Sequence, residues 1–328
     1  MKAYLIDKDA AGKASGRWAT WERDQLDPGE LTLRVLYSSI NYKDALAATG
    51  AGKIIRRFPC IGGIDMVGEV IESQDAKFKA GDTVIATSFD IGVSHHGGFA
   101  EEARVPSAWA VPLPRGLSAF EAMALGTAGF TAGLAITRME ENGLQPKNGP
   151  VVVSGATGGV GSLAINMLAQ LGYEVAALTR RAEESGYLKS IGAGRILPLS
   201  GIDLDKVRPM EAAQWAGAVD NVGGKVLHWM LATMKQAGTV ASIGNTGSVE
   251  LHSSVFPFIL RGVSLLGVDS GYMGSPTREK VWARLAGDLK PAALASMTRT
   301  VPFADIAAAF DDFVAGRAKG RTVVRIGA

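Results

Sequence analysis

The stretch VVVSGATGGVG, residues 151–161, decides the fold of this chain. An apolar strand runs into a glycine-rich turn, and an amphipathic helix over Val160–Leu171 follows. The turn matches the dinucleotide-binding pattern, with alanine in place of its first glycine. Small residues are needed because the turn is tight and the backbone must approach a pyrophosphate closely. We predict that this pyrophosphate binds at the positive helix end, on Thr157, Gly158, Gly159, Val160 and Gly161.

Strands and helices alternate on the C-terminal side of this turn. Helices are expected over Ala182–Ile191 and Val226–Met234, between short apolar strands. This order predicts an α/β fold with a doubly wound parallel sheet. The predicted strands are Pro150–Ser154, Glu174–Leu178, Arg195–Pro198, Ala218–Asp220, Thr239–Ile243 and Val263–Gly267.

The end of the second strand indicates which dinucleotide binds. An NAD site places a carboxylate there, but this strand ends in Thr179, Arg180 and Arg181. Arginine suits a 2′-phosphate because it makes charge-assisted contacts, and the threonine hydroxyl can add a donor. We therefore predict NADPH as the cofactor, with Lys189 and Arg195 as weaker phosphate candidates.

The first 115 residues have a different pattern of secondary structure. Short strands such as Leu31–Leu36 and Val67–Ile71 are separated by glycine and proline turns, which is typical of a barrel or sandwich. A capping box at Ser118 and Glu121 then begins an apolar helix, and a second helix covers Thr127–Arg138. The last strand, Arg321–Ile326, is expected to return to this first region.

Composition excludes several classes of protein. The 34 basic and 32 acidic residues leave a net charge of +2, which gives no electrostatic footprint for nucleic acid or a membrane surface. The uncharged stretch 149–173 contains one proline and several glycines, so it suits a strand–turn–helix better than a membrane span. With one cysteine the chain needs no oxidising compartment, and we predict a cytoplasmic protein.

Metal and hydrolase sites are not expected. A catalytic zinc needs about three Cys, His or carboxylate ligands, and Cys60 with His95 and His96 does not supply a suitable pattern. No G-x-S-x-G motif is present, so a serine hydrolase has no support.

Several motifs together resemble the quinone-oxidoreductase branch of the medium-chain dehydrogenase/reductases. They are SINYKD at 39–44, PCIGGIDMVG at 59–68, GGFAE at 97–101, GTAGFTA at 126–132 and WAGAVDNVGG at 215–224. The segments 257–263 and 267–270 are similar to the zinc-independent acryloyl-CoA reductase subgroup. The resemblance spans nearly the whole chain.

This resemblance implies a GroES-like catalytic domain over residues 1–122 and 272–328, and a Rossmann NADPH-binding domain over 123–271. It also implies a cleft between them and a homodimer formed through the strand Val263–Gly267. Cofactor contacts are implied near Tyr42, Thr127, Ile243 and Ser270.

The chemistry that we favour is reduction of the activated carbon–carbon double bond of an acyl-CoA thioester, with a hydride delivered to the β-carbon. Asn41 and Tyr42 are the candidate donors to the thioester oxygen, and Tyr42 or water supplies the second proton. Asp44 is interpreted as an orienting carboxylate, and Asp65 as a turn-capping one. The basic residues that suit the coenzyme A phosphates are Lys53, Arg56 and Arg57.

Two alternatives stay open from the sequence. A quinone or enone reductase would use the same hydride donor, and the sequence separates it poorly from a thioester reductase. An NADPH-binding sensor or structural protein would keep the cofactor site without turnover.

Overall fold

The computed structural model describes residues 1–327, and within them the chain forms sixteen strands and eight α-helices. The strands are β1 Lys2–Lys8, β2 Ala14–Thr20, β3 Leu31–Ile40, β4 Cys60–Ile61, β5 Asp65–Ser73, β6 Thr83–Thr87, β7 Glu102–Val105, β8 Ala110–Pro112, β9 Val151–Val153, β10 Val175–Thr179, β11 Arg195–Pro198, β12 Trp215–Asp220, β13 Met234–Ser242, β14 Ser264–Gly267, β15 Thr298–Pro302 and β16 Arg321–Arg325. The helices are α1 Tyr42–Thr49, α2 Ala119–Glu141, α3 Gly159–Gln170, α4 Ser185–Ser190, α5 Gly224–Ala232, α6 Phe256–Arg261, α7 Ser275–Leu285 and α8 Ile306–Val314.

The chain divides into two compact units. Unit 1 comprises residues 1–127, 271–286 and 294–327, and unit 2 comprises 128–270 and 287–293. The segment 287–293 differs from the predicted division, which gave it to the catalytic domain. It joins unit 2 because the Gln170 side chain bonds the backbone of Asp288 and Ala292, and Asn166 accepts from the Ala293 N–H. Residues 123–127 and 271, predicted in the Rossmann domain, fall in unit 1, and the predicted domain boundaries stay a proposal.

Unit 1 is built from antiparallel strands. One sheet has the order β2-β1-β4, and a larger one has the order β15-β16-β3-β5-β6-β8, with β7 on β3. Within β3, Leu31, Leu33 and Val35 are buried while Arg34 faces outward, so the alternating pattern in the sequence marks the core face. The last strand, β16, pairs with β3 and thereby returns the C-terminal end to the first unit, as the sequence predicts.

Helix α2 contains the predicted break. Ser118 and Glu121 form the capping box at its start, with the Glu121 N–H donating to the Ser118 hydroxyl. At Gly126 the backbone leaves helical geometry, with φ 52° and ψ −154°. The helix is long and apolar enough to span a membrane by composition, but 78% of its most apolar window is buried inside the protein. Such burial is what the core helix of a folded protein shows.

Unit 2 holds a six-stranded parallel sheet in the order β11-β10-β9-β12-β13-β14. The predicted α/β class is therefore confirmed, and the uncharged stretch 149–173 forms β9, a turn and α3. From β9 the chain adds β10 and β11 on one side of the sheet. It then crosses to the other side of β9 and adds β12, β13 and β14, so the strand order reverses between β9 and β12. Ligands of open parallel sheets bind at the carboxyl ends of the strands beside such a switch point.

Candidate functional site

The glycine-rich turn lies at the carboxyl end of β9, the central strand of the unit 2 sheet. Its last glycine, Gly161, has no room for a side chain. A Cβ there would lie 2.3 Å from the Gly155 oxygen and 2.9 Å from the Ala156 Cα. Gly155 has φ +58°, which favours glycine. At Gly161 the start of α3 therefore packs directly on the backbone of the turn, with no room for a side chain.

Helix α3 begins after Gly158, a residue without a side chain that could cap the helix. The N–H groups of the first turn, from Gly159, Val160 and Gly161, thus stand at the positive end of a helix of twelve residues. An anion is the natural partner of this arrangement, and a dinucleotide pyrophosphate fits the cradle that the glycines leave.

The end of β10 brings together three residues that the sequence predicts as 2′-phosphate contacts. The Arg181 N–H donates to the Thr179 hydroxyl at 2.9 Å. The Arg181 Nε donates to the Thr157 hydroxyl at 3.2 Å, which joins the strand end to the glycine-rich turn. Arg180 is exposed beside them. A guanidinium held in this way beside a helix N-terminus suits a phosphate monoester.

Arg195 is not part of this group. It is the first residue of β11 and pairs with Ala176, whereas Thr179 pairs with Pro198 at the opposite end of the strand. Its guanidinium lies over the Trp215 ring, 5.3 Å from the ring centroid. Because parallel strands place their first residues at the opposite edge from the turn, the structure corrects the prediction of a cofactor contact here.

A buried carboxylate organises the neighbouring strand ends. Asp220 accepts hydrogen bonds from the Ser154 hydroxyl and from the N–H groups of Val222 and Gly223. Burial raises the pKa of this Asp220 carboxyl. The Asp220 carbonyl in turn accepts from the Ile243 N–H at 2.9 Å, which fixes one predicted cofactor contact. Ser270, another predicted contact, accepts from the Thr131 hydroxyl at 2.7 Å.

Unit 1 contains a network that we name the carboxylate network: Ser39, Asn41, Asp44, Asp65, Thr127 and Arg321. At its centre, fully buried Asp65 accepts from the hydroxyls of Ser39 and Thr127, the Asn41 amide and the Thr127 N–H. The Thr127 N–H is available because the break at Gly126 starts a new helical turn. Four donors thus satisfy the oxygens of this buried carboxylate.

Arg321 supplies the buried positive charge of the network. Its guanidinium donates to the Ala124 carbonyl at 2.8 Å, to the Ser39 hydroxyl at 2.9 Å and to the Asn41 amide oxygen at 3.1 Å. It lies 3.9 Å from the Asp65 carboxylate. Burial lowers the pKa of Arg321, while the negative charges of Asp65 and Asp44 act in the opposite direction.

The network changes the interpretation of Asn41. Its amide nitrogen donates to Asp65 at 2.8 Å and to Asp44 at 3.3 Å, and its amide oxygen accepts from Arg321. These bonds occupy both amide hydrogens, because charged partners compete strongly for them. The structure therefore does not support Asn41 as a donor to substrate and gives it a positioning role.

Asp44 orients the start of α1. Its carboxylate accepts from the Asn41 N–H at 2.8 Å and from the Ile64 N–H at 2.9 Å. Burial, followed by the neighbouring Asp65 carboxylate, raises the pKa of Asp44 to about 7. Tyr42, the first residue of α1, is 46% exposed, and its hydroxyl makes no hydrogen bond within residues 1–327. The predicted orienting carboxylate thus holds the first turn of the helix that begins with the exposed Tyr42.

The predicted basic cluster separates into different environments. Arg57 pairs with Asp27, which also accepts from the His96 N–H at 2.6 Å. Arg56 lies 3.7 Å from Asp90 and has 67% of its side chain exposed, and Lys53 is exposed. The cluster therefore leaves Lys53 and Arg56 available to a ligand, whereas Arg57 is committed to a structural ion pair.

Metal ligands do not gather in the described part of the chain: residues 1–327 contain no group of three His, Cys, Asp or Glu side chains placed to hold an ion. Cys60 is buried, and burial raises the pKa of its thiol to about 12. The His96 Nδ1 accepts from the Ile61 N–H at 3.1 Å, so that nitrogen is used inside the unit.

Sequence reasoning missed the central roles of Asp65 and Arg321. The sequence predicts Asp65 as a turn-capping carboxylate and Arg321 only as the first residue of a strand. The one signal in the sequence is that Arg321 begins a strand, RTVVR, that contains two valines. In the structure residues 321–324 of this strand are buried, which is unusual for an arginine.

Comparison with known proteins gives two family-model matches. Residues 27–115 match the model described as alcohol dehydrogenase GroES-like domain, and residues 159–287 match the one described as zinc-binding dehydrogenase. The chain is 43% identical to the acrylyl-CoA reductase AcuI of Ruegeria pomeroyi, over 100% of both proteins.

Two solved structures have the same fold and similar sequences. The yhdH oxidoreductase of Salmonella enterica, in complex with NADP, has a TM-score of 0.97 and 46% identity, over 99% of this chain and 100% of that one. The Bacillus subtilis protein yhfP, with NAD bound, has a TM-score of 0.96 and 44% identity, over 99% and 98% of the two chains.

Proposed function

Because this chain belongs to the medium-chain dehydrogenase/reductase family, in the group of acrylyl-CoA reductase AcuI, we propose that it is an NADPH-dependent oxidoreductase. Its reaction is the reduction of the carbon–carbon double bond of an α,β-unsaturated acyl-CoA, with acryloyl-CoA as substrate and propanoyl-CoA as product. The observation that carries this proposal is the full-length similarity to an acrylyl-CoA reductase.

The proposed cofactor site uses unit 2. The backbone N–H groups of residues 159–161 hold the pyrophosphate, with Gly158 close beside it as the helix N-cap, and Thr157, Thr179, Arg180 and Arg181 hold the 2′-phosphate. When bound, NADPH supplies the hydride that reduces the β-carbon. Because one relative has NAD bound, the test of the 2′-phosphate contacts compares NADPH with NADH.

Further cofactor contacts rest on the family resemblance. In unit 2 they are Ile243, whose backbone is fixed by Asp220, and Ser270, whose hydroxyl is positioned by Thr131. In unit 1 they are Tyr42 and Thr127. The Thr127 N–H and hydroxyl both donate to Asp65, and the Ser88 hydroxyl lies 3.0 Å from the Thr127 hydroxyl, so neither Thr127 donor is offered to the cofactor.

Tyr42 is the proposed donor to the thioester oxygen, where negative charge develops as the β-carbon is reduced. Its hydroxyl is accessible, and the α1 turn that carries it is held by Asp44 and Asn41. Arg321 and Asp65 fix the Asn41 amide in turn. The carboxylate network is therefore a positioning device for Tyr42, and Tyr42 or a water molecule then protonates the α-carbon.

The experiment that tests this function follows the loss of reduced-nicotinamide absorbance with acryloyl-CoA, crotonoyl-CoA and a benzoquinone in parallel. The proposal expects turnover with acryloyl-CoA and NADPH. Turnover of the quinone alone would replace the substrate class, and NADPH binding without any turnover would favour a sensor or structural role.

A homodimer is the proposed assembly. Strand β14 ends the unit 2 sheet and has β13 as its neighbour there, so its other edge is available to a second copy. Large exposed apolar side chains lie in the preceding segment, at Val249, Val255, Phe256, Ile259 and Leu260. Light scattering should give a dimer for the wild-type chain and a monomer for Ile259→Glu, and a monomeric wild type would refute the pairing. The cytoplasmic location stays a prediction.

A further inference from the structure

A cluster of aromatic side chains, from Phe89, Trp109 and Tyr272, lies next to the carboxylate network in unit 1. Ser88 and Phe89 both have positive φ, 66° and 50°, although neither is glycine. The Ser88 hydroxyl lies 3.0 Å from the Thr127 hydroxyl, so the segment begins at the network itself. A strained backbone of this kind persists only where its surroundings hold it, and it is concentrated near functional sites.

Buried Arg278 holds this strained segment in place. Its guanidinium donates to the Thr87 hydroxyl at 3.0 Å and lies over the Phe89 ring, 4.5 Å from the centroid. The Trp109 ring is parallel to Phe89 at 5.3 Å. The Phe89 ring is thus held by contacts with Arg278 and Trp109. The Tyr272 ring is nearly perpendicular to the Phe89 ring, and the two ring centroids are 6.3 Å apart.

Tyr272 and Arg56 meet at one carboxylate. The Tyr272 hydroxyl donates to the Asp90 Oδ1 at 3.0 Å, and an Arg56 guanidinium nitrogen lies 3.7 Å from the same oxygen. Tyr272 is 53% exposed, and the Arg56 side chain is 67% exposed. Asp90 therefore holds an exposed aromatic ring and an exposed guanidinium side by side, two residues along the chain from Ser88.

This pairing matches the chemistry of a purine nucleotide. A flat base stacks on an aromatic ring, and a phosphate pairs with a guanidinium. We propose that Tyr272 and Arg56 bind the adenosine 3′-phosphate end of the acyl-CoA substrate, with the adenine on the Tyr272 ring and the 3′-phosphate on Arg56. Asp90 sets the spacing of the two groups. The inference rests on the proposed function, since it takes coenzyme A as the carrier.

The test compares two substrates that share the acryloyl thioester: acryloyl-CoA and acryloyl-pantetheine, which lacks the nucleotide. Tyr272→Leu and Arg56→Gln should each raise the KM for acryloyl-CoA roughly tenfold or more through loss of stacking or phosphate pairing. Their kcat and their KM for acryloyl-pantetheine should stay within about twofold, because the reacting groups are untouched. Tyr272→Phe keeps the ring but loses its bond to Asp90, so its KM for acryloyl-CoA should lie between those of the wild type and Tyr272→Leu.

Arg17→Gln is the matched control, because Arg17 is an exposed arginine of unit 1 that pairs with Asp7 at 3.2 Å. It should not change the KM of either substrate. Equal effects of Tyr272→Leu on both substrates, or no effect on acryloyl-CoA, would overturn the subsite.

A binding measurement separates this inference from the proposed function. With NADPH at saturation, adenosine 3′,5′-bisphosphate should bind the wild-type protein and bind Tyr272→Leu and Arg56→Gln about tenfold more weakly, if each loses its own contact. This result would support the subsite even if the wild type reduced only quinones. Absence of binding to the wild type would overturn it.

Discussion

The glycine-rich turn of unit 2 consists of consecutive residues, 155–161, whereas the carboxylate network of unit 1 gathers side chains from positions 39 to 321. The turn offers backbone N–H groups and excludes side chains, as Gly161 shows. The network consists of side chains that satisfy one another in a buried region. A ligand that needs only a phosphate cradle can be recognised by local sequence, while a positioned side chain needs distant parts of the fold.

The largest expected effect removes the local cradle. Gly161→Val would place the Cβ 2.3 Å from the Gly155 oxygen, which is backbone, so the turn would have to open. We expect NADPH affinity to fall by about a thousandfold, since the helix N-terminus loses its approach to the pyrophosphate. Isothermal titration calorimetry measures this. Gly201→Ala, which has open space around it, is the control, and a Gly161→Val protein with wild-type affinity would contradict the site.

The second effect removes the distant partner of the network. Arg321→Met leaves Asp65 buried without its nearby positive charge, which should cost about 3 to 5 kcal/mol of the free energy of unfolding. Urea denaturation measures the change. Arg34→Met, at an exposed ion pair with Glu69, should cost at most about 1 kcal/mol. Equal losses for the two variants would show that the network carries no special stability.

The third effect tests the carboxylate network through its dependence on pH. The pKa of Asp44 is about 7 in the folded chain, above the unfolded value of about 4. Its stabilising contribution is therefore complete below about pH 4 and is lost as the pH rises through about 7. Asp65 and Arg321 are the charged groups that face it.

Between pH 5 and pH 8 the wild-type free energy of unfolding should fall on the order of 2 kcal/mol relative to Asp44→Asn. Urea denaturation of both proteins across this range measures the difference. Parallel profiles would show that Asp44 does not titrate in the buried site.

The smallest effect sharpens the cofactor assignment. Replacing Arg180 and Arg181 together by alanine should weaken NADPH binding by about tenfold to a hundredfold, because charge-assisted contacts to the 2′-phosphate are lost. NADH binding should change by less than about threefold. Fluorescence titration with both cofactors measures the ratio, and equal losses would remove the 2′-phosphate assignment.

The same contrast explains how much the sequence could predict. The turn, the arginines after β10 and the capping box at Ser118 depend on neighbours in the sequence, and the structure forms each of them. Asp65 and Arg321 are 256 positions apart, and they meet because β3 pairs with β16 on one side and with β5, which begins at Asp65, on the other.

Asn41 and Arg195 are the two site predictions that the sequence could not make correctly. The residue type of Asn41 suits a donor to substrate, but buried charges that sequence reasoning could not place use both ends of its amide. Arg195 follows the second strand at a plausible distance in sequence, yet the strand direction puts it at the opposite edge of the sheet. Partner identity and strand polarity are properties of the fold as a whole.

The central claim is that NADPH reduces the β-carbon of an acryloyl thioester on this chain. The most direct measurement uses NADPH with deuterium at the transferable position, acryloyl-CoA in ordinary water, and mass spectrometry with NMR of the product. The account predicts propanoyl-CoA with one deuterium on the β-carbon and a solvent hydrogen on the α-carbon. Deuterium on the α-carbon, or no propanoyl-CoA beside rapid quinone reduction, would contradict it.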